Sequence, residues 1–147
     1  MTRFEEILEK DGELTYFNIG TSMMPMLRPH RDVFTIEKRG NNRFKENDVI
    51  LFELDGKYLL HRIVEVYDDH YTTIGDNCFS YEKNIKDHEI LGILTSFQRN
   101  GKTYYSNDQK YLLYVLLVRA FEKPRILIKK RVFYWKKAIK SLMKKND

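Results

Sequence analysis

One cysteine, Cys78, stands in a chain of 147 residues. No intramolecular disulfide and no all-cysteine zinc site can therefore form, and such sparing cysteine use suits a reducing compartment. The four histidines lack metal-ligand spacing, and neither a phosphate loop nor a dinucleotide fingerprint occurs. No cofactor and no metal are expected. Long hydrophobic runs are missing as well. The longest uncharged stretch near the C-terminus, Tyr111–Val118, is eight residues between Lys110 and Arg119, whereas a membrane span needs about 20. No secretory signal opens the chain: Glu5, Glu6, Glu9, Asp11 and Glu13 interrupt its first stretch. Internal repeats and low-complexity tracts are also lacking.

What is present suffices for one core. The chain is 42% hydrophobic and 14% aromatic, too apolar for a disordered segment although 32% is charged. Its net charge of +5 hides an asymmetry. Residues 119–147 hold 11 Lys/Arg against 2 Asp/Glu, whereas residues 1–118 hold 15 against 19. An acidic body with a basic tail points to a polyanion or membrane surface as a partner of the tail. A helix with a solvated basic face would give the same composition.

Residues 2–13 read as a helix, with Thr2 and Glu5 as a capping box and Gly12 after the end. Tyr16–Ile19 is β-prone, and Gly20, Pro25 and Pro29 break regular structure before a strand at Val33–Glu37. Val49–Leu54, Asp55-Gly56 and Lys57–Val66 form the clearest hairpin. A strand at Tyr71–Ile74 precedes a loop from Gly75 to Lys86. Ile90–Phe97 and Lys102–Tyr105 flank a second turn pair, Asn100-Gly101. The expected fold class is α+β, mostly β: an antiparallel core with an N-terminal helix and two C-terminal helices. The expected division is a domain over 1–105 and a basic helical extension over 106–147. In that extension a helix over 109–123 ends at Pro124. A second follows, with Ile128, Val132, Trp135, Ile139 and Leu142 spaced as one apolar seam among lysines. That seam can lie on an anionic membrane or pack against the β core.

Three segments carry candidate chemistry. Gly20-Thr21-Ser22 is a glycine-containing bend after a β segment. It can expose a hydroxyl and aim the amides of Thr21 and Ser22 at one oxyanion; an ordinary loop serine is the plainer reading. His61 shares a strand face with Leu59 and Ile63. Burial there keeps an imidazole neutral, as a general base requires, though a satisfied core histidine fits too. Gly75-Asp76-Asn77, with Glu82 beyond it, offers carboxylates that can fix the tautomer of His61. It can equally be a structural turn. Cys78 reads as a small loop residue, a nucleophile or a redox thiol.

In order, these segments resemble the serine peptidases of the signal peptidase I and LexA-like clan. The resemblance rests on Gly20-Thr21-Ser22-Met23-Met24-Pro25-Met26-Leu27, Arg31-Asp32, Asn47-Asp48-Val49-Ile50, His61-Arg62-Ile63-Val64, Gly75-Asp76-Asn77 and Ile90-Leu91-Gly92-Ile93-Leu94. It spans about residues 16–98. It implies a serine endopeptidase with Ser22 as nucleophile. His61 as base matches the branch of endoplasmic-reticulum and archaeal signal peptidases. Asp76 matches the first supporting acid of that branch, and Glu82 stands where a second, usually aspartate, is found. Arg31 and Asn47 replace family glycines. The N-terminal membrane anchor of signal peptidases has no counterpart in the chain. The resemblance implies a protein or leader-peptide substrate. The tail adds an anionic membrane or a membrane protein as partner through residues 124–147. The expected place is cytoplasmic, peripheral on the inner membrane face. No nucleic-acid partner is expected, since the body is acidic and carries no base-reading motif. The alternative is a peptidase fold without turnover that binds an extended peptide or a membrane partner.

Overall fold

Two dipeptides turn the chain back on itself in left-handed backbone. Asp55-Gly56 has φ of 51° and 75°, and Asn100-Gly101 has 52° and 74°. This is the type I′ conformation, whose twist matches that of the flanking strands. The computed structural model describes residues 3–144. Around the two turns it builds β3 (Val49–Leu54) with β4 (Lys57–Val66), and β7 (Ile90–Arg99) with β8 (Lys102–Tyr105). The remaining strands are β1 (Glu13–Phe17), β2 (Val33–Lys38), β5 (Tyr71–Ile74) and β6 (Glu82–Ile85). All eight pair antiparallel, in the order β1-β2-β7-β3-β4-β5-β6. β3 and β8 share one edge of β7, at Ile90–Ile93 and Ser96–Arg99 respectively. The fold is thus α+β and mostly β, as the pattern predicts.

β3 explains why the sheet is covered on both sides. Val49 and Leu51 join one cluster with Leu8, Leu14, Met26 and Leu94. Ile50 and Phe52 point the other way, into a cluster with Ile63, Tyr71 and Ile85. Each such side chain contributes roughly 1.5–3 kcal/mol on burial, and a strand apolar on both faces settles only between two cores.

Helix α1 (Phe4–Asp11) is shorter than the expected 2–13. Gly12, at φ 76°, donates its N–H to the Leu8 carbonyl at 3.0 Å and sends the chain directly into β1. The expected cap residue Thr2 lies outside the described residues. β1 accordingly begins earlier than Tyr16, and Asn18–Gly20 leave the sheet. β6 falls inside the stretch expected to be loop.

The C-terminal helices are α2 (Gln109–Ala120) and α3 (Glu122–Met143). Pro124 does not end a helix; it sits in the first turn of α3. The leading N–H groups of a helix have no intrahelical acceptor, so a missing one costs nothing there. The break falls at Phe121, where ψ rises to 7°. Tyr111 and Val115 of α2 belong to the first core cluster, so α2 is packed into the body. In α3 only Glu122 and Ile126 are buried, and every described residue from 130 onward is exposed. No described helix is long and apolar enough to cross a membrane.

Candidate active site

The segment between β1 and β2 carries Ser22. Met23, Met26 and Leu27 anchor it from below, each almost fully buried. Its ends are tied together: Asn18 N–H donates to the Asp32 carbonyl at 2.9 Å and His30 N–H to the Asn18 carbonyl at 2.7 Å. Arg28 closes a two-point ion pair on the buried carboxylate of Asp32, at 2.8 and 3.1 Å. Left-handed backbone falls on His30 (φ 58°) and Asn47 (φ 74°). Asn47 therefore takes the conformation a glycine would allow, while at the Arg31 bend the neighbouring His30 takes it.

Gly75-Asp76-Asn77, after β5, lies against this segment. Asn77 N–H donates to the Ser22 carbonyl at 2.7 Å, and its side-chain amide donates to the Thr21 carbonyl at 3.1 Å. Gly75 is the point of closest approach. A Cβ there would lie 2.6 Å from the Ser22 carbonyl oxygen, 2.7 Å from Cys78 Sγ and 3.0 Å from His61 Nε2. The serine residue, the thiol and the imidazole thus crowd around one glycine, which has room for no side chain. Ser22 Oγ makes no hydrogen bond to protein among the described residues. The amides of Thr21 and Ser22 likewise donate to no described protein group.

β4 places His61 on the face of the second core, where it is 3% exposed and meets Phe52 edge-on. Its Nδ1 lies 2.7 Å from Glu82 Oε2. A carboxylate accepts, so Nδ1 carries the proton and Nε2 is the nitrogen that faces Gly75. Glu82 reaches His61 from β6 across β5, two strand spacings or about 10 Å. Thr73 of β5 is buried beneath it and donates to the same oxygen at 3.4 Å. Burial alone would lower the proton affinity of His61. The adjoining Cys78 sulfur and the Glu82 carboxylate outweigh burial and raise it to about 9.

Asp76 is not behind His61. Its carboxylate is spent on Arg62, at 2.8 Å to both Nε and Nη2, and it accepts from the Tyr114 hydroxyl of α2 at 2.8 Å. Arg62 is fully buried on the opposite face of β4 from His61, where it also donates to the Asn47 carbonyl at 2.9 Å. Burial opposes the Arg62 charge, but the Asp76 charge more than compensates and holds its pKa above the ordinary value. Burial, then the Asp76 charge, push the Tyr114 hydroxyl up as well. Strand alternation put Arg62 opposite His61 but gave no sign that it would be buried. Lys129 of α3 was missed too; its ammonium donates to the Asn77 carbonyl at 2.6 Å and to the Asn77 side chain.

Beside Ser22 opens a cleft of about 690 Å³, lined by Tyr16, Phe17, Ile19, Tyr58 and Leu60 among others. It is apolar, and Phe17 and Ile19 at its rim are exposed. Its wall includes β1, which occupies an end of the sheet order. No group of three or more described metal-ligating side chains converges anywhere. In comparison with known proteins, the chain matches no family model and has no significant match among curated proteins.

Proposed function

We propose that the protein is a serine endopeptidase resembling signal peptidase, which cleaves a peptide bond in a protein or leader-peptide substrate. The observation that carries this reading is the meeting at Gly75 of the Ser22 main chain with Nε2 of His61, which the Cys78 sulfur also adjoins, while Nδ1 is held by an acid. That is the order of groups a serine–histidine–acid mechanism needs.

In this reading the substrate lies extended along β1, filling the apolar cleft, as strand addition allows. His61 Nε2 removes the proton from Ser22 Oγ as that oxygen bonds to the scissile carbonyl carbon. The carbonyl oxygen takes up the negative charge, and the free amides of Thr21 and Ser22 receive it. One such donor is worth about 10²–10³ in rate. His61 then passes its proton to the departing amine nitrogen, and water repeats the sequence on the acyl-enzyme. Glu82 holds the ring and stabilises the imidazolium. Asp76 acts through shape: pinned by Arg62, it fixes the turn that grips the Ser22 carbonyl. The preference for a small residue before the cut comes from the resemblance alone.

The test is incubation of wild type and Ser22→Ala with candidate leader peptides near pH 9, read by mass spectrometry. Defined fragments from wild type alone are expected. Equal cleavage by both overturns the assignment. A serine-reactive phosphonate should label Ser22, and should fail to do so in His61→Ala.

A further inference from the structure

We propose that α3 is a docking surface for an anionic lipid bilayer. The inference is independent of the proteolytic reading.

Helix α3 has two faces that change differently along its length. Ile126, Lys129 and Phe133 turn toward the body: Ile126 is buried, Lys129 holds Asn77, and the Phe133 ring lies 5.4 Å from that of Phe79. The same face continues at helical spacing through Lys137, Lys140 and Lys144. It carries Ile126, Lys129 and Phe133 where the body covers it and only lysines where the helix runs past. The other face, Ile128, Val132, Trp135, Ile139 and Leu142, is exposed along its length. Ile128 is 61% exposed, Trp135 66% and Leu142 65%. Packing against the β core, one of the two outcomes open for this seam, does not occur.

An apolar helix face does not stay in water by choice, and a projecting helix draws little support from local propensity alone. The charge identifies the cover. Lysines flank an aromatic and aliphatic stripe, the pattern of a helix that lies in a membrane interface with its charges at headgroup level. An acidic protein groove would meet the lysines but would need its own apolar slot for Trp135. A bilayer supplies both layers at once, and anionic headgroups match the charge.

Trp135 is the only tryptophan in the chain, so it reports on its own burial. The experiment adds vesicles of phosphatidylcholine with about one-third phosphatidylglycerol to the full chain and follows Trp135 emission and co-sedimentation. A blue shift and binding are expected, far weaker on pure phosphatidylcholine and weakened by salt. Ile128→Glu with Leu142→Glu should cost about tenfold or more in partitioning. Each of Lys136→Gln, Lys140→Gln and Lys144→Gln should cost up to about fivefold. All five positions are exposed, and circular dichroism checks that the fold is kept. Unchanged emission with no co-sedimentation overturns the proposal. So does binding that ignores Ile128→Glu/Leu142→Glu, which would mark simple polyanion attraction. A concentration-dependent blue shift without vesicles would assign the seam to a second copy of the chain and overturn it equally.

Discussion

Replacing Glu82 by Gln should lower the proton affinity of His61. The folded imidazole stands at about 9, against 6.5 for an unperturbed ring, which corresponds to about 3 kcal/mol in favour of the imidazolium. At pH 7 only about 1% of such a ring is neutral, so a reaction needing it as base should climb steadily from pH 7 to 9. Glutamine keeps a hydrogen-bond partner at Nδ1 but removes the charge. Burial, which works against the imidazolium, then weighs more, and the midpoint should drop by well over one pH unit. The assay is a two-dimensional NMR titration of the histidine rings, with His61→Gln assigning the signal. In parallel, the rate of phosphonate labelling of Ser22 is followed against pH. In Glu82→Gln the labelling limb should move to lower pH, while the plateau falls by about 10²-fold or more as orientation is lost. Glu82→Asp should also lower the His61 midpoint, because the shorter chain loses the contact with Nδ1 although it keeps a charge nearby. Stability carries the same signature. The raised affinity stabilises the fold fully below about pH 6.5, and that contribution disappears as pH rises through 9. A wild-type midpoint below 7, or one unmoved by Glu82→Gln, refutes the reasoning.

Asp76→Ala should destabilise the fold by about 3–5 kcal/mol in urea unfolding, because it strands the buried Arg62 charge. Where the variant is folded, the His61 midpoint should stay near 9, separating the two acids. Gly75→Ala should cost about 1–3 kcal/mol and abolish Ser22 labelling, since a methyl group meets the Ser22 carbonyl and His61 Nε2. In Gly92→Ala the new methyl would lie 2.2 Å from the Glu37 carbonyl oxygen. Amide exchange over Ile36–Lys38 should then accelerate as the β2–β7 ladder opens.

The parts of the fold that were legible are those fixed by local chemistry. Asp55-Gly56 and Asn100-Gly101 need no distant partner to choose their turn, and the tail announces its period through Ile128, Val132 and Trp135. β6 was hidden because Glu82–Ile85 is mostly polar; only pairing with β5 makes it a strand. Pro124 misled because proline stops a helix from inside but begins one readily, and the stretch on either side is equally helical. At the site, Ser22 and His61 stood out through the residues around them. Asp76 and Glu82 could not be told apart, because the choice depends on Arg62. Arg62 claims the nearer acid from the opposite face of β4, and nothing adjacent to it in the chain reveals that Tyr114 completes the pair. The crowding of Cys78 on His61 likewise arises from the turn at Gly75 and leaves no periodic trace.

The position of β7 has a consequence for synthesis. β1 and β2 can form a hairpin early, and so can β3 and β4, but within the sheet the two are bridged by residues 90–99. Until the ribosome has released that stretch, β3 offers apolar side chains on both sides and one bare edge. The two halves of the sheet are therefore fastened to each other only once β7 has emerged. Folding should arrive as a single late event, when one strand zips both halves together.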